Sequence, residues 1–298
     1  MMDTGDHLQR KIKSAEALRS VVKNLKTMAA VSIGPYERAV SALADYNRTV
    51  ELGLVACLRR YDLPLSANHE EATPKQVGAV VFGSDQGMVG QFNDQLAAFV
   101  QQELHTVRES KTVWPIGERI YTRLIDTDLA VERPEPSPET VGGMTPLIAR
   151  ILAEIDARRE AERLDLVWVF HNRPRPGAGY DPVCQRLLPL DATWVSELRA
   201  KRWPAQPLPQ VRREPQETFA AALREYLFVS LYRACAESLA SENAARLASM
   251  QGAEENIDRL LDQLRTVYNQ ERQNSIDAEL FEVLSGFEAI AQRANSTR

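Results

Sequence analysis

Proline is missing from the last 83 residues of this 298-residue chain, all 16 prolines having been used by Pro215. That stretch also holds only two glycines, Gly252 and Gly286. Proline removes a helix hydrogen bond and clashes with the preceding turn, so nothing here forbids one unbroken helix. Seventy such residues would reach on the order of 105 Å at about 1.5 Å each. A helix of that length must leave its domain or run through it, and it needs a partner along its length. It suggests a mechanical or scaffolding part more than a catalytic one.

Other shortages narrow the class. Only three cysteines occur, Cys57, Cys184 and Cys235, far apart in sequence. An odd, dispersed set argues against a disulfide framework or a zinc site and fits a reducing compartment. The four histidines are scattered as well. No run of about 18 apolar residues is present, so no span across or insertion into a bilayer is expected. The first residues, Met-Met-Asp-Thr-Gly-Asp, lack the apolar stretch of a secretory signal. A net charge of −5 argues against general nucleic-acid binding. One region runs the other way: Arg10, Lys11, Lys13, Arg19, Lys23 and Lys26 face the single acid Glu16. The ordinary reading is a solvated helix face; the sharper one is a basic stripe that meets an acidic protein surface.

What is present falls into three segments. Residues 1–62 read as helix, with Leu8, Ile12, Ala15, Leu18, Val22 and Leu25 at steps of 3 and 4. Gly34-Pro35 should kink or interrupt it, and a second helical stretch runs from Tyr36 to Tyr61. Pro64 to Pro74 reads as loop. Residues 75–203 change character. Strands are predicted at 76–83, 111–117 and 166–171, helices at 92–108, 118–125 and 146–162, and an edge strand near 184–190. That order points to an α/β layer with a parallel core. Glu132 to Pro138 and Arg173 to Gly179 read as loops, and Pro204 to Pro215 as a linker. Residues 216–298 are the long helix. Within it Met250, Ala253, Ile257, Leu260, Leu264 and Val267 form a heptad seam. The economical fold class is α/β, with a long antiparallel coiled coil of the two terminal helices and an inserted Rossmann-like α/β domain. A homodimeric coiled coil satisfies the heptads equally well.

The richest local motif runs from Phe82 to Asn93. Gly83, Gly87 and Gly90 sit between a strand and a helix, where backbone N–H groups can cradle a phosphate. The spacing is neither a dinucleotide fingerprint nor a P-loop, and a tight turn capped by Asp85 or Asn93 explains it as well. Gly83, Ser84, Asp85, Gly87, Gly90 and Asn93 are thus expected to be structural. Ser84-Asp85 has no histidine nearby in sequence, and His171 at a strand end is a lone histidine. No acid–base pair assembles, so no catalytic residue, metal or cofactor is expected.

Several stretches then resemble one family, the gamma subunits of F-type ATP synthases. Ile276, Glu279, Glu282 and Gly286 fit its closing pattern, Ile/Val-Thr-x-Glu-x-x-Asp/Glu-x-x-x-Gly-Ala, from which Asp277 and Phe287 depart. Glu237-Ser238-Leu239-Ala240-Ser241-Glu242-Asn243-Ala244-Ala245-Arg246 is similar to its Glu-Ser-Leu-Ala-Ser-Glu-His-Ala-Ala-Arg. Val267-Tyr268-Asn269 and Arg272-Gln273 match too. The glycine loop resembles Ser-Asp-Arg-Gly-Leu-Cys-Gly-Gly-Leu-Asn, with Gln86, Val89 and Gln91 differing. Leu187 to Leu190 and Glu214-Pro215 fall in family order. In the first helix the family's Met-x-Met-Val-Ala-Ala-Ser-Lys becomes Leu25 to Ser32, without its lysine. With Gly34-Pro35, Asp277 and Phe287, this is similar to the divergent N-type branch, often associated with sodium pumping.

The resemblance implies a rotor shaft, with no active site and no small-molecule substrate. Its partners would be the alpha and beta subunits of a catalytic hexamer, the epsilon subunit and a membrane ring of c subunits. It would sit peripherally on the cytoplasmic face of a cell membrane and serve ATP synthesis and ion transport. Lys23, Lys26, Arg272, Gln273 and Glu279 would contact alpha or beta. Leu280, Phe281, Val283, Leu284, Phe287 and Ile290 would form an apolar bearing. From another class, a phosphate- or nucleotide-binding α/β enzyme with coiled-coil arms is the competing reading.

Overall fold

The computed structural model describes residues 2–60, 76–107, 109–162, 164–175, 179–190, 192–201, 203 and 214–295, with backbone alone at 2–4, 60, 162, 192, 215 and 286–295. The expected loop at 64–74 and most of the linker at 204–215 lie outside these residues. The chain forms two compact units, Met1–Thr27 with Ser249–Arg298, and Met28–Ala248. Helix α1 spans Met2–Arg60 and the last helix, α6, spans Pro215–Asn295.

Gly34-Pro35 does not end α1, contrary to a helix interruption there. A proline at 35 leaves the carbonyl of Val31 without its usual donor. Val31 lies on an exposed side, where water can take that carbonyl. One residue further on, Tyr36 is 4% exposed and its hydroxyl donates to the Glu139 carbonyl at 3.0 Å. That anchor holds the helix direction past the proline. In α6, Pro215 occupies the first helical position, where its missing N–H would have had no partner anyway.

In the first unit the two helices run antiparallel. Arg265 pairs with Glu16 at 2.7 Å, Arg19 with Asp258 at 2.7 Å, and Lys26 with Glu254. Numbers therefore fall along α6 as they rise along α1, which answers the homodimer alternative. Leu8, Ala15, Met250 and Leu261 are buried between half-buried neighbours. The seam differs from the heptad reading. Leu18, Leu260 and Val267 turn outward, while Leu261 and Tyr268 take the inner places. Inward residues at 250, 253, 257, 261, 264 and 268 average 3.6 per turn, that of an ordinary α-helix. A strict heptad needs supercoiling to 3.5, and α6 keeps the straight-helix period here.

The second unit is built on β1 (Gln76–Phe82), α2 (Phe92–His105), β2 (Ser110–Ile116), α3 (Glu118–Leu124), β3 (Ala130–Val131), α4 (Val141–Glu162), β4 (Leu166–Arg175), β5 (Gly179–Leu188) and α5 (Ala192–Ala200). The sheet order is β3-β2-β1-β4-β5. The first four strands are parallel and β5 is antiparallel to β4. Alternate residues of each strand serve opposite faces. Val77, Ala79, Val81 and Phe170 pack under α2 and α3. Val80, Phe82, Val167 and Val169 pack under α4 and the segment Leu227–Ala240 of α6. The sequence misses β3, two residues long, and α5. It also starts α4 too late and ends β4 too early. Pro174 and Pro182 suggest loop, yet both sit in the β4–β5 ladder, at the sheet edge where proline is tolerated.

Leu261 is 2% exposed and Leu260 46% exposed. Leu261→Ala should therefore cost about 2–4 kcal/mol by lost burial and a residual cavity. Leu260→Ala should stay within about 0.5 kcal/mol, as exposed substitutions do. Thermal melts of the two purified variants check this; the reverse ranking would restore the heptad seam.

Candidate functional site

The glycine loop after β1 is held by polar groups directed inward. Ser84 is fully buried; its Oγ donates to the Gln86 carbonyl at 3.0 Å and accepts from Asn93 Nδ2 at 2.8 Å. Asn93 Oδ1 accepts the Ser84 N–H at 3.1 Å. Asp85 takes two backbone donors with its two oxygens, Glu118 N–H at 2.9 Å and Ser137 N–H at 2.8 Å. Ser84 thus has no base beside it, and Asp85 ties three loops together. Gly83 is required sterically, because a Cβ there would lie 2.3 Å from Ile120 Cβ. Gly117, at φ +112°, would place a Cβ 2.7 Å from the Ser84 backbone. Gly87 and Gly90 rim a cleft of about 440 Å³ beside Arg119 and Arg123, and Arg123 is paired with Asp94 at 2.8 Å. Among the described residues no group of three or more His, Cys, Asp or Glu side chains could hold a metal ion.

In open α/β sheets the ligand crevice lies beyond the carboxyl ends of the strands, where the strand order reverses. Here that point is between β1 and β4, since β2 and β3 lie on one side of β1 and β4 on the other. The crevice holds the chain's own helix α6. Ser238 Oγ donates to the carbonyl of Phe82, the last residue of β1, at 2.7 Å. Ser241 Oγ donates to the Asn172 carbonyl on β4 at 3.0 Å. Glu237 Oε2 accepts from His171 Nε2 at 2.9 Å and from Arg173 Nε at 3.1 Å, while Arg233 Nε donates to its other oxygen at 2.7 Å. Further on, Ala245 packs against Val89 and Phe92 of the loop and α2.

Burial pushes the Glu237 carboxyl up, but hydrogen bonds from His171 and Arg233 outweigh it and hold it at about 2. For His171 burial dominates and pushes the imidazole below its ordinary value, against the opposing pull of Glu237. The consistent state is a neutral ring donating Nε2–H to an ionised carboxylate. Nδ1 is then a bare acceptor, with no hydrogen-bond partner among the described residues. Sequence reasoning missed this cluster. Its signal was a run of polar residues, Ser230 to Asn243, too dense for an apolar helix face yet interleaved with alanines.

The expected contact residues lie elsewhere. Lys23, Arg272, Gln273 and Glu279 are exposed. Lys26 differs, its ammonium being engaged by Glu254 across the coil. Arg19 is similarly paired, so the basic stripe is partly consumed within the unit. From Asn269 to Ser285 every side chain is exposed, including Ile276, Leu280, Phe281 (68%), Val283 and Leu284. At helical spacing these five form one uncovered apolar stripe. The side chains of Phe287 and Ile290 lie outside the described residues.

The family model of ATP synthase matches residues 4–290. The chain belongs to the ATP synthase family. It is 28% identical to the ATP synthase gamma chain of Dechloromonas aromatica, over 97% of this chain and 100% of that one. It is 26% identical to the gamma chain of Polynucleobacter asymbioticus over the same shares. Its fold is similar to a chain of the Euglena gracilis mitochondrial ATP synthase (OSCP, F1 and c-ring), with TM-score 0.65, 18% identity, and coverage of 97% of this chain and 95% of that one. It is also similar to a chain of the Tetrahymena thermophila mitochondrial ATP synthase central stalk and c-ring, with TM-score 0.58, 20% identity, and coverage of 78% and 99%.

Because the Glu237 carboxyl is depressed in the folded chain, its stabilisation is complete above the ordinary carboxylate value of 4.5 and is lost as pH falls toward about 2. His171, kept neutral by burial, adds a loss that begins as pH falls through about 6.5. The melting temperature should drop across this range. Glu237→Gln should start lower at pH 7 and fall less between pH 5 and 2.5. Parallel curves for the two proteins would remove Glu237 from the acid response.

Proposed function

We infer that this chain is the gamma subunit, the central rotor shaft, of a rotary ATP synthase. It couples rotation of a membrane-attached ring to conformational change at the catalytic beta subunits and has no active site of its own. What carries the reading is the uncovered apolar stripe of α6 in a chain of this family. Contiguous exposed apolar surface marks a binding surface, and a stripe on one protruding helix fits the inside of a ring of subunits.

A shaft acts by contacting each surrounding subunit differently at each angle. Moving a two-state catalytic subunit from 1:99 to 99:1 requires a differential contact energy of about 5.5 kcal/mol. The stripe from Leu280 to Leu284 acts as a bearing: apolar contact is non-directional and lets the surface slip. Arg272, Gln273 and Glu279 act as catches, since hydrogen bonds with a charged partner are directional and angle-dependent. Lys23 adds a cation for acidic loops of beta. The α/β layer is the foot that meets epsilon and the ring of c subunits, on the cytoplasmic side of a cell membrane. The departures at Ser32, Gly34-Pro35, Asp277 and Phe287 support a place in the N-type branch, which makes sodium a candidate coupling ion beside the proton.

A direct test assembles the chain with its own alpha and beta subunits and attaches a bead through Ser110→Cys. ATP should drive rotation in one direction, while the chain alone should hydrolyse no ATP. Turnover by the purified chain, abolished at Ser84 or Asp85, would favour the enzyme reading instead. Within the complex, Arg272→Ala with Gln273→Ala should slow turnover at saturating ATP more than Leu284→Ala does. Equal rates would take the catch role from Arg272 and Gln273.

A further inference from the structure

We propose that Glu237, Ser238 and Ser241 form a torsional lock that fixes α6 to the carboxyl ends of β1 and β4, so that torque passes between the α/β layer and the shaft helix. The proposal rests on the rotor reading and adds where torque crosses from sheet to helix.

Positions 237, 238 and 241 share one face of α6, by helical geometry. All three residues are buried, and each bonds to a strand rather than a loop. Two of the acceptors are main-chain carbonyls, Phe82 and Asn172, which cannot follow a turning helix by changing rotamer. Around them the helix presents Ala234, Ala236 and Ala240, with Leu239 packed into the core under the sheet. Small apolar side chains allow close approach but resist rotation weakly, because their attraction does not depend on direction.

The polar contacts do depend on it. A turn of α6 by about 20° carries an atom about 5 Å from its axis through roughly 1.7 Å. Bonds of 2.7–3.1 Å to Phe82, Asn172, His171 and Arg173 would then exceed hydrogen-bonding range together. The groups are buried, so the broken bonds would leave unsatisfied polar atoms away from water. Rotation against the sheet is therefore opposed steeply over a small angle, which is what a joint under torque requires. Helix α6 is continuous from this face to Asn295, so a turn imposed at the lock is carried along its backbone.

Ser238→Ala with Ser241→Ala tests this, since it removes two of the four bonds from this face to the strands with little change of shape. The variant is assembled into the full complex and stalled with bound nucleotide, and the angular fluctuation of a bead on the α/β layer is recorded. Halving the directional restraints should widen the angular variance about twofold. Leu239→Ala is the control: it loses apolar burial and stability and should leave the variance within error of the parent. Unchanged variance in the serine variant, or equal widening in Leu239→Ala, overturns the lock. Should the double variant not assemble, Ser238→Ala alone is held to the same comparison. Failure of the parent complex to rotate would refute the rotor reading itself, which separates the two outcomes.

Discussion

The seating of α6 on the ends of β1 and β4 is the contact on which the other features depend. It closes the second unit over the apolar face made by Val80, Phe82, Val167 and Val169. It also fills the crevice that a sheet of this topology otherwise offers to a ligand. Ser238 and Ser241 occupy backbone carbonyls at those strand ends, and Glu237 is paired with the strand arginine beside them. A fold widely used for nucleotide binding is thereby turned into a socket for a helix, which shows why fold alone does not give function.

The antiparallel helix pair of the first unit draws on a different balance. Its ion pairs, Arg19 with Asp258 and Arg265 with Glu16, are largely exposed. Exposed pairs contribute about 0.2–1 kcal/mol each, so they set register and direction more than stability. Stability comes from the narrow seam of Leu8, Ala15, Met250 and Leu261. Past Tyr268 the seam ends, and the apolar side chains of α6 from Ile276 to Leu284 are exposed among the described residues. A protein that exposed such a stripe alone would risk association.

Much of this was legible in the residues. The absence of proline after 215 gave the long helix, because a helix needs every interior N–H. The alternation of strand and helix signals from 76 to 171 gave the parallel layer, since short β-branched runs ending in glycine have few other solutions. The glycine loop read as a tight turn; Ser84 and Asn93 bond to each other at its base, and Asp85 reaches out to the N–H groups of Glu118 and Ser137. The antiparallel pairing of the two terminal helices was the economical reading, but the heptads alone could not exclude a second copy as the partner; the cross-helix pairs Arg265–Glu16 and Arg19–Asp258 show the partner within the chain.

Sequence by itself thus determined the long helices and the main strand-helix order, which follow from local spacing along one chain, while the apolar residues from Leu280 onward were marked by the family resemblance. Tertiary structure decided what spacing cannot carry. Leu261 rather than Leu260 faces inward because the helix keeps 3.6 residues per turn unless a supercoil is enforced. The helix passes Pro35 because Tyr36, 103 positions from its acceptor Glu139, is pinned there. Glu237 is ionised while buried because His171, Arg173 and Arg233 converge on it. Two of those three donors lie more than 60 residues away in the chain, and only folding brings a carboxylate and its partners into one place.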